Sequence, residues 1–152
     1  MRIIILVTTI IFLLTTGLGA QEIQEKDGLF YQKCERYTGH YITYYDSGQI
    51  KMYMKIVNGE KNGIIRIYFE NGKLREIRSY KNNFMHGKWE MYNGQGVKVS
   101  VARYKKGLKH GKWFIWNEQG KLLYELRYKK GQKFGVWKSY DDKGTLLNAR
   151  KY

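Results

Sequence analysis

GKWEMYNGQGVKVSVARYKKGLKH, residues 87–110, runs without a gap into GKWFIWNEQGKLLYELRYKKGQKF, residues 111–134. The two segments align glycine on glycine and aromatic on aromatic, and the 24-residue period extends in both directions. Gly39, Gly63, Gly87, Gly111 and Gly135 keep it, as do Gly48, Gly72, Gly96, Gly120 and Gly144. A third series reads Gly59, Asn83, Gly107 and Gly131, and its one exception is the residue next most tolerant of positive φ. Self-similarity at a fixed period marks a repeat architecture.

Aromatic and aliphatic residues follow the same register. Two places after each leading glycine stand Tyr41, Ile65, Trp89, Trp113 and Trp137, and five places after it Tyr44, Tyr68, Tyr92, Trp116 and Tyr140. Seventeen places after it come Ile56, Tyr80, Tyr104, Tyr128 and Tyr152. Eleven places after it come Ile50, Leu74, Lys98, Leu122 and Leu146, with Lys98 the defect. Aromatic and β-branched runs between glycine and asparagine turns indicate strands and hairpins. Asn58-Gly59, Asn62-Gly63, Asn71-Gly72 and Asn93-Gly94 are hairpin signals. No helical period is sustained after residue 26, and the chain has no proline, which suits continuous ladders.

The expected fold is all-β, an elongated antiparallel meander of stacked hairpins in which each unit touches its neighbours. Its expected core is a row of Tyr, Trp and Leu side chains. The second and fifth places have opposite parity, so either both faces are partly covered or a bulge lies between them. The units are 39–62, 63–86, 87–110, 111–134 and 135–152. Residues 21–38 read as a polar lead and an N-terminal capping strand.

Tyr68-Phe69-Glu70-Asn71-Gly72-Lys73-Leu74, with Tyr80 and then His86-Gly87-Lys88-Trp89, resembles the MORN-repeat variant of bacterial secreted proteins. Trp116 to Leu122 with Tyr128, Gly131 and Phe134-Gly135 repeats the pattern. The resemblance covers roughly residues 39–152 and implies a hairpin meander. On function it implies only a range: binding modules, structural spacers and antitoxin components.

Residues 1–20 read differently. Met1-Arg2 precedes an apolar run from Ile3 to Leu14, and Thr15 to Ala20 is rich in small residues. That order is a secretory signal forming a hydrophobic helix, with cleavage expected near Ala20; a retained anchor is the alternative. The chain carries 28 basic and 13 acidic residues, a formal charge of +15, and removing the signal takes away only Arg2. Such a charge favours anionic partners. Cys34 is the single cysteine, so no internal disulfide can form. It is expected to be a buried apolar filler.

Catalytic and metal chemistry find little support. His86 and His110 hold equivalent places 24 residues apart. Two strands per unit separate such places by about 10 Å, too far for one zinc ion. The equivalent residues elsewhere are Asn62 and Phe134, which suits a turn-packing role. Asp46, Glu70, Glu118, Asp141 and Asp142 are scattered among turns, with no paired acid and base. Gly94-Gln95-Gly96 opens no helix, so it is not a phosphate loop. The expectation is a non-enzymatic protein without cofactor, metal or small-molecule substrate.

Basic residues do recur. Sixteen places after the leading glycine stand Lys55, Ser79, Arg103, Arg127 and Lys151; eighteen after, Val57, Lys81, Lys105 and Lys129; twenty-two after, Lys61, Met85, Lys109 and Lys133. The candidate binding face is Arg103, Lys105, Lys109, Arg127, Lys129 and Lys133, with Tyr104 and Tyr128 adding contact area. Alternatively these lysines only solubilise the protein and protect strand edges. The expected function is a secreted or periplasmic binding or scaffold module. Its partner would be a protein or an anionic surface, lipid headgroups or acidic polysaccharide, with nucleic acid disfavoured outside the cell. The alternative is an antitoxin or immunity protein that neutralises one cognate toxin.

Overall fold

The computed structural model describes residues 22–152, so the expected signal helix lies outside the described residues. Among the described residues there is no helix. Ten strands pair consecutively in chain order into one antiparallel meander, two strands to a unit. The short first strands are Gly39–Tyr44, Gly63–Tyr68, Gly87–Tyr92, Gly111–Trp116 and Val136–Tyr140. Their longer partners are Ile50–Val57, Leu74–Lys81, Lys98–Lys105, Leu122–Lys129 and Leu146–Lys151.

Each unit uses two turns of different chemistry. Inside the hairpin a five-residue turn closes through a pair of backbone bonds, as in Asn93 N–H to Val97 O and Gly96 N–H to Asn93 O, both 2.9 Å. In the third, fourth and fifth units the side chain of Asn93, Asn117 or Asp141 also accepts from two amides of its own turn. After the long strand comes a two-residue turn with both residues at positive φ: Asn58-Gly59, Asn82-Asn83, Lys106-Gly107 and Lys130-Gly131. That is a type I′ turn, whose twist matches the strands it joins. Two-residue strands then fold back on the long strand, as Leu108–Lys109 does on Tyr104 and Lys105. Asn62-Gly63 is not a hairpin turn. It joins Glu60–Lys61 to Gly63–Tyr68 without reversing the chain, Asn62 N–H bonding Lys55 O at 3.1 Å.

A bulge lies in every hairpin, on its long strand. The register skips Lys51, Arg75, Val99, Leu123 and Leu147, one residue after the eleventh-place series. That extra residue changes the phase of the long strand, while the second and fifth places of the short strand keep opposite parity, as the alternating burial of Gly39–Tyr44 shows.

The core takes in second- and seventeenth-place residues, Ile65 and Ile56, together with others, and is uneven. Met54, Ile56, Ile65 and Ile67 are buried with Phe30, which inserts from the N-terminal segment and is fully buried. Residues 24–36 form three short strands, Gln24–Lys26, Leu29–Gln32 and Glu35–Arg36. Phe30 N–H binds Gly59 O and Gly59 N–H binds Tyr37 O, at 2.9 and 2.8 Å, tying this small sheet to the first unit. Two expectations need correcting. Leucines of the eleventh place contribute little core, since Leu146 is 50% exposed. Cys34 is exposed, sitting at φ 65° in a two-residue turn with Lys33, where its side chain has no apolar pocket to fill.

Candidate binding face

From the second unit onward the second- and seventeenth-place rings form one unbroken file on one face: Tyr80, Trp89, Tyr104, Trp113, Tyr128, Trp137 and Tyr152. Successive ring centroids lie 4.8–5.5 Å apart, tilted rather than stacked flat. Each tryptophan also binds the unit before it. The indole N–H groups of Trp89, Trp113 and Trp137 donate to the carbonyls of Ser79, Arg103 and Arg127 at 3.0, 3.0 and 2.8 Å. Burial, with the neighbouring tyrosines, pushes the Tyr104 and Tyr128 hydroxyls above their ordinary pKa.

The structure divides the candidate basic residues between two faces. Residues opposite one another in an antiparallel pair point the same way, and neighbours along a strand point oppositely. Lys109 pairs with Tyr104, and Lys133 with Tyr128, so both lysines join the aromatic file. The Lys109 ammonium sits 4.9 and 5.0 Å from the Trp113 and Tyr128 rings. Lys133 sits 4.5 and 4.6 Å from Trp137 and Tyr152. Both distances suit cation–π attraction. Arg103, Lys105, Arg127 and Lys129 alternate with the tyrosines along their strands and therefore occupy the reverse face. All four are exposed.

On that reverse face two further lysines appear that the sequence reading passed over. Lys88 lies opposite Arg103, and Lys112 opposite Arg127. Both directly follow a leading glycine, and this shared place was the available signal. Acidic residues on the same face are few and engaged. Glu90, buried beneath the exposed Lys88, holds that ammonium at 2.9 Å and also pairs with Lys98. Burial pushes the Glu90 carboxyl up, but its hydrogen bonds and charge pairs with Lys98 and Lys88 outweigh it and leave the pKa lowered. Lys98 is correspondingly raised, first by its hydrogen bond to Glu90. The defect in the leucine series is therefore an ion pair. Glu125 reaches Arg127 at 4.0 Å.

His86 and His110 occupy a backbone station. Their amides bond Ser79 O and Arg103 O, as those of Asn62 and Phe134 bond Lys55 O and Arg127 O. Side chains as different as Asn, His and Phe share it, so the fold uses the main chain there and not the imidazole. Among the described residues no group of three or more His, Cys, Asp and Glu side chains is placed to hold a metal ion.

The family model described as MORN repeat variant matches residues 37–58, 61–82 and 109–130. Each window begins two residues before a leading glycine, at Tyr37, Lys61 and Lys109. No curated protein matches the chain.

Proposed function

The chain is a MORN-repeat protein, and from that premise we propose that it is a non-enzymatic, extracytoplasmic binding module for a protein partner or an anionic envelope surface. MORN repeats generally serve as binding or scaffold modules. The observation that carries the reading here is the exposed cationic surface of the third and fourth units, Arg103, Lys105, Arg127 and Lys129, set on a sheet stiffened by the aromatic file. The extracytoplasmic part rests on the signal-like residues 1–20. Recognition by such a surface needs no chemistry: charge steers the partner and a rigid backbone fixes the spacing of contacts.

Tagged protein incubated with membrane and periplasmic fractions and eluted with stepwise salt tests this. Attachment to anionic lipid or polysaccharide that is released at moderate salt is the expected result. Recovery of one protein at stoichiometric yield through high salt would replace surface attachment with specific neutralisation, as an antitoxin or immunity protein requires.

A further inference from the structure

Lys88, Arg103, Lys112 and Arg127 stand on four successive strands of the reverse face. Lys88 faces Arg103 within the third hairpin, and Lys112 faces Arg127 within the fourth. Arg103 bridges the two hairpins: a Cβ added to Gly111, next to Lys112, would lie 3.3 Å from Arg103 Cδ. With strands about 4.7–4.9 Å apart, each of the four cations lies well inside one screening length of its neighbour in the row.

Like charges directly opposite one another destabilise a strand pair, and the hairpin does not need them. The equivalent pairs are His40 with Lys55 in the first unit, Ile64 with Ser79 in the second and Val136 with Lys151 in the fifth. Local carboxylates neutralise only the ends of the row, Glu90 at Lys88 and Glu125 at Arg127. Among the described residues no carboxylate lies within 4.0 Å of Arg103 or Lys112. We propose that this row is a binding track for a linear acidic polysaccharide bearing a carboxylate on each ring, laid across the strands. The proposal rests on the anionic-surface reading above and narrows it.

Spacing and shape choose the polymer. A ring in an extended glycan advances by close to one strand spacing and successive carboxylates alternate sides, so those on one side recur about every two strand spacings and meet alternate cations of the row, Arg103 with Arg127 or Lys88 with Lys112. Phosphates along one strand of duplex DNA come every ~3.4 Å of helix axis and wind around it, and same-side residues of an extended peptide come every ~6.6 Å; neither keeps step with the row. Twist disfavours a bilayer. At about 20–25° per strand, the face normals at Lys88 and Arg127 diverge by roughly 60–75°, so a flat surface meets only part of the row. A thin chain can follow it. Apolar anchors among the charges strengthen bilayer attachment, and the exposed Phe84 and Leu108 sit next to the two-residue turns and Val136 on the strand beyond Arg127, not between these four cations.

The test is equilibrium binding of the full chain, as the cell processes it, to fluorescent oligogalacturonate. A neutral glycan of equal length, phosphatidylglycerol vesicles and single-stranded DNA serve as rival ligands. Arg103→Gln combined with Lys112→Gln should weaken oligogalacturonate binding roughly three- to thirtyfold. Lys121→Gln with Lys143→Gln, the same loss of charge in the opposite turns, should change it less than about twofold. Equal weakening by both pairs overturns the track in favour of bulk charge. Oligogalacturonate failing while vesicles or DNA bind overturns the polysaccharide and leaves the broader anionic reading standing. Binding to none of these anions overturns the anionic reading with it.

Discussion

At the scale of single residues, the leading glycines Gly87, Gly111 and Gly135 are held by two separate constraints. Gly111 has φ 74°, which costs an L-residue roughly 1–2 kcal/mol, and its missing Cβ makes room for the Arg103 side chain. Gly72, at φ 79°, has open space around it, so only the backbone cost applies. Gly111→Ala should therefore destabilise by more than Gly72→Ala, by about 2 kcal/mol against about 1 kcal/mol in urea unfolding; equal losses would remove the packing role. Glu90 gives a pH signature at the same scale. Its folded pKa is lowered, so its contribution is complete above the unfolded value near 4.3 and is lost as the pH falls through the folded value. Between about pH 5 and pH 3 the wild type should lose stability more steeply than Glu90→Gln, and parallel curves would show that the pairs with Lys88 and Lys98 contribute nothing net.

Elements show where sequence reasoning reaches and where it stops. Turn positions were legible because a positive φ leaves a mark in composition, and Asn83 in the glycine series at φ 61° carries the same mark as glycine. The bulge left no mark in composition, since Lys51, Arg75, Val99, Leu123 and Leu147 share no residue type. The division of the basic rows was hidden for a topological reason. Lys109 follows Arg103 by six residues, but the I′ turn brings it back opposite Tyr104, so its face is set by the turn and not by counting along a strand. Lys98 read as a broken repeat because its partner, Glu90, lies across the hairpin. The tryptophan links between hairpins follow from neither propensity nor period. Trp113→Phe keeps the ring in the file and removes the bond to Arg103 O. It should cost about 1 kcal/mol and leave the circular dichroism of the strands unchanged. Trp113→Leu, which also breaks the ring contacts with Tyr104 and Tyr128 at 5.2 and 5.0 Å, should cost at least twice that.

Across the whole molecule the repeat is regular in backbone and irregular in burial, and this asymmetry sets how it opens. In a stack where each unit touches only its neighbours, stability is a sum of unit and interface terms. The buried cluster of Phe30, Met54, Ile56, Ile65 and Ile67 lies in the N-terminal part and the first two units. In contrast, Leu146–Lys151 is exposed at every residue and pairs along one edge only. Local opening free energies follow such differences, so amide exchange should be slowest in Met52–Ile56 and Ile65–Ile67 and fastest in Leu146–Lys151. Phe30→Ala sharpens the test. Deleting a fully buried phenylalanine typically costs about 3–5 kcal/mol, and here the loss falls on the first unit through Tyr41, 5.1 Å from the Phe30 ring, and through the amide bond to Gly59. Exchange in the first two units should accelerate by orders of magnitude while the fourth unit, held by Trp113 and Trp137, changes little. A uniform acceleration through all five units would mean that the sheet unfolds as one body, and the cationic row of the third and fourth units would then depend on a core in the first two hairpins.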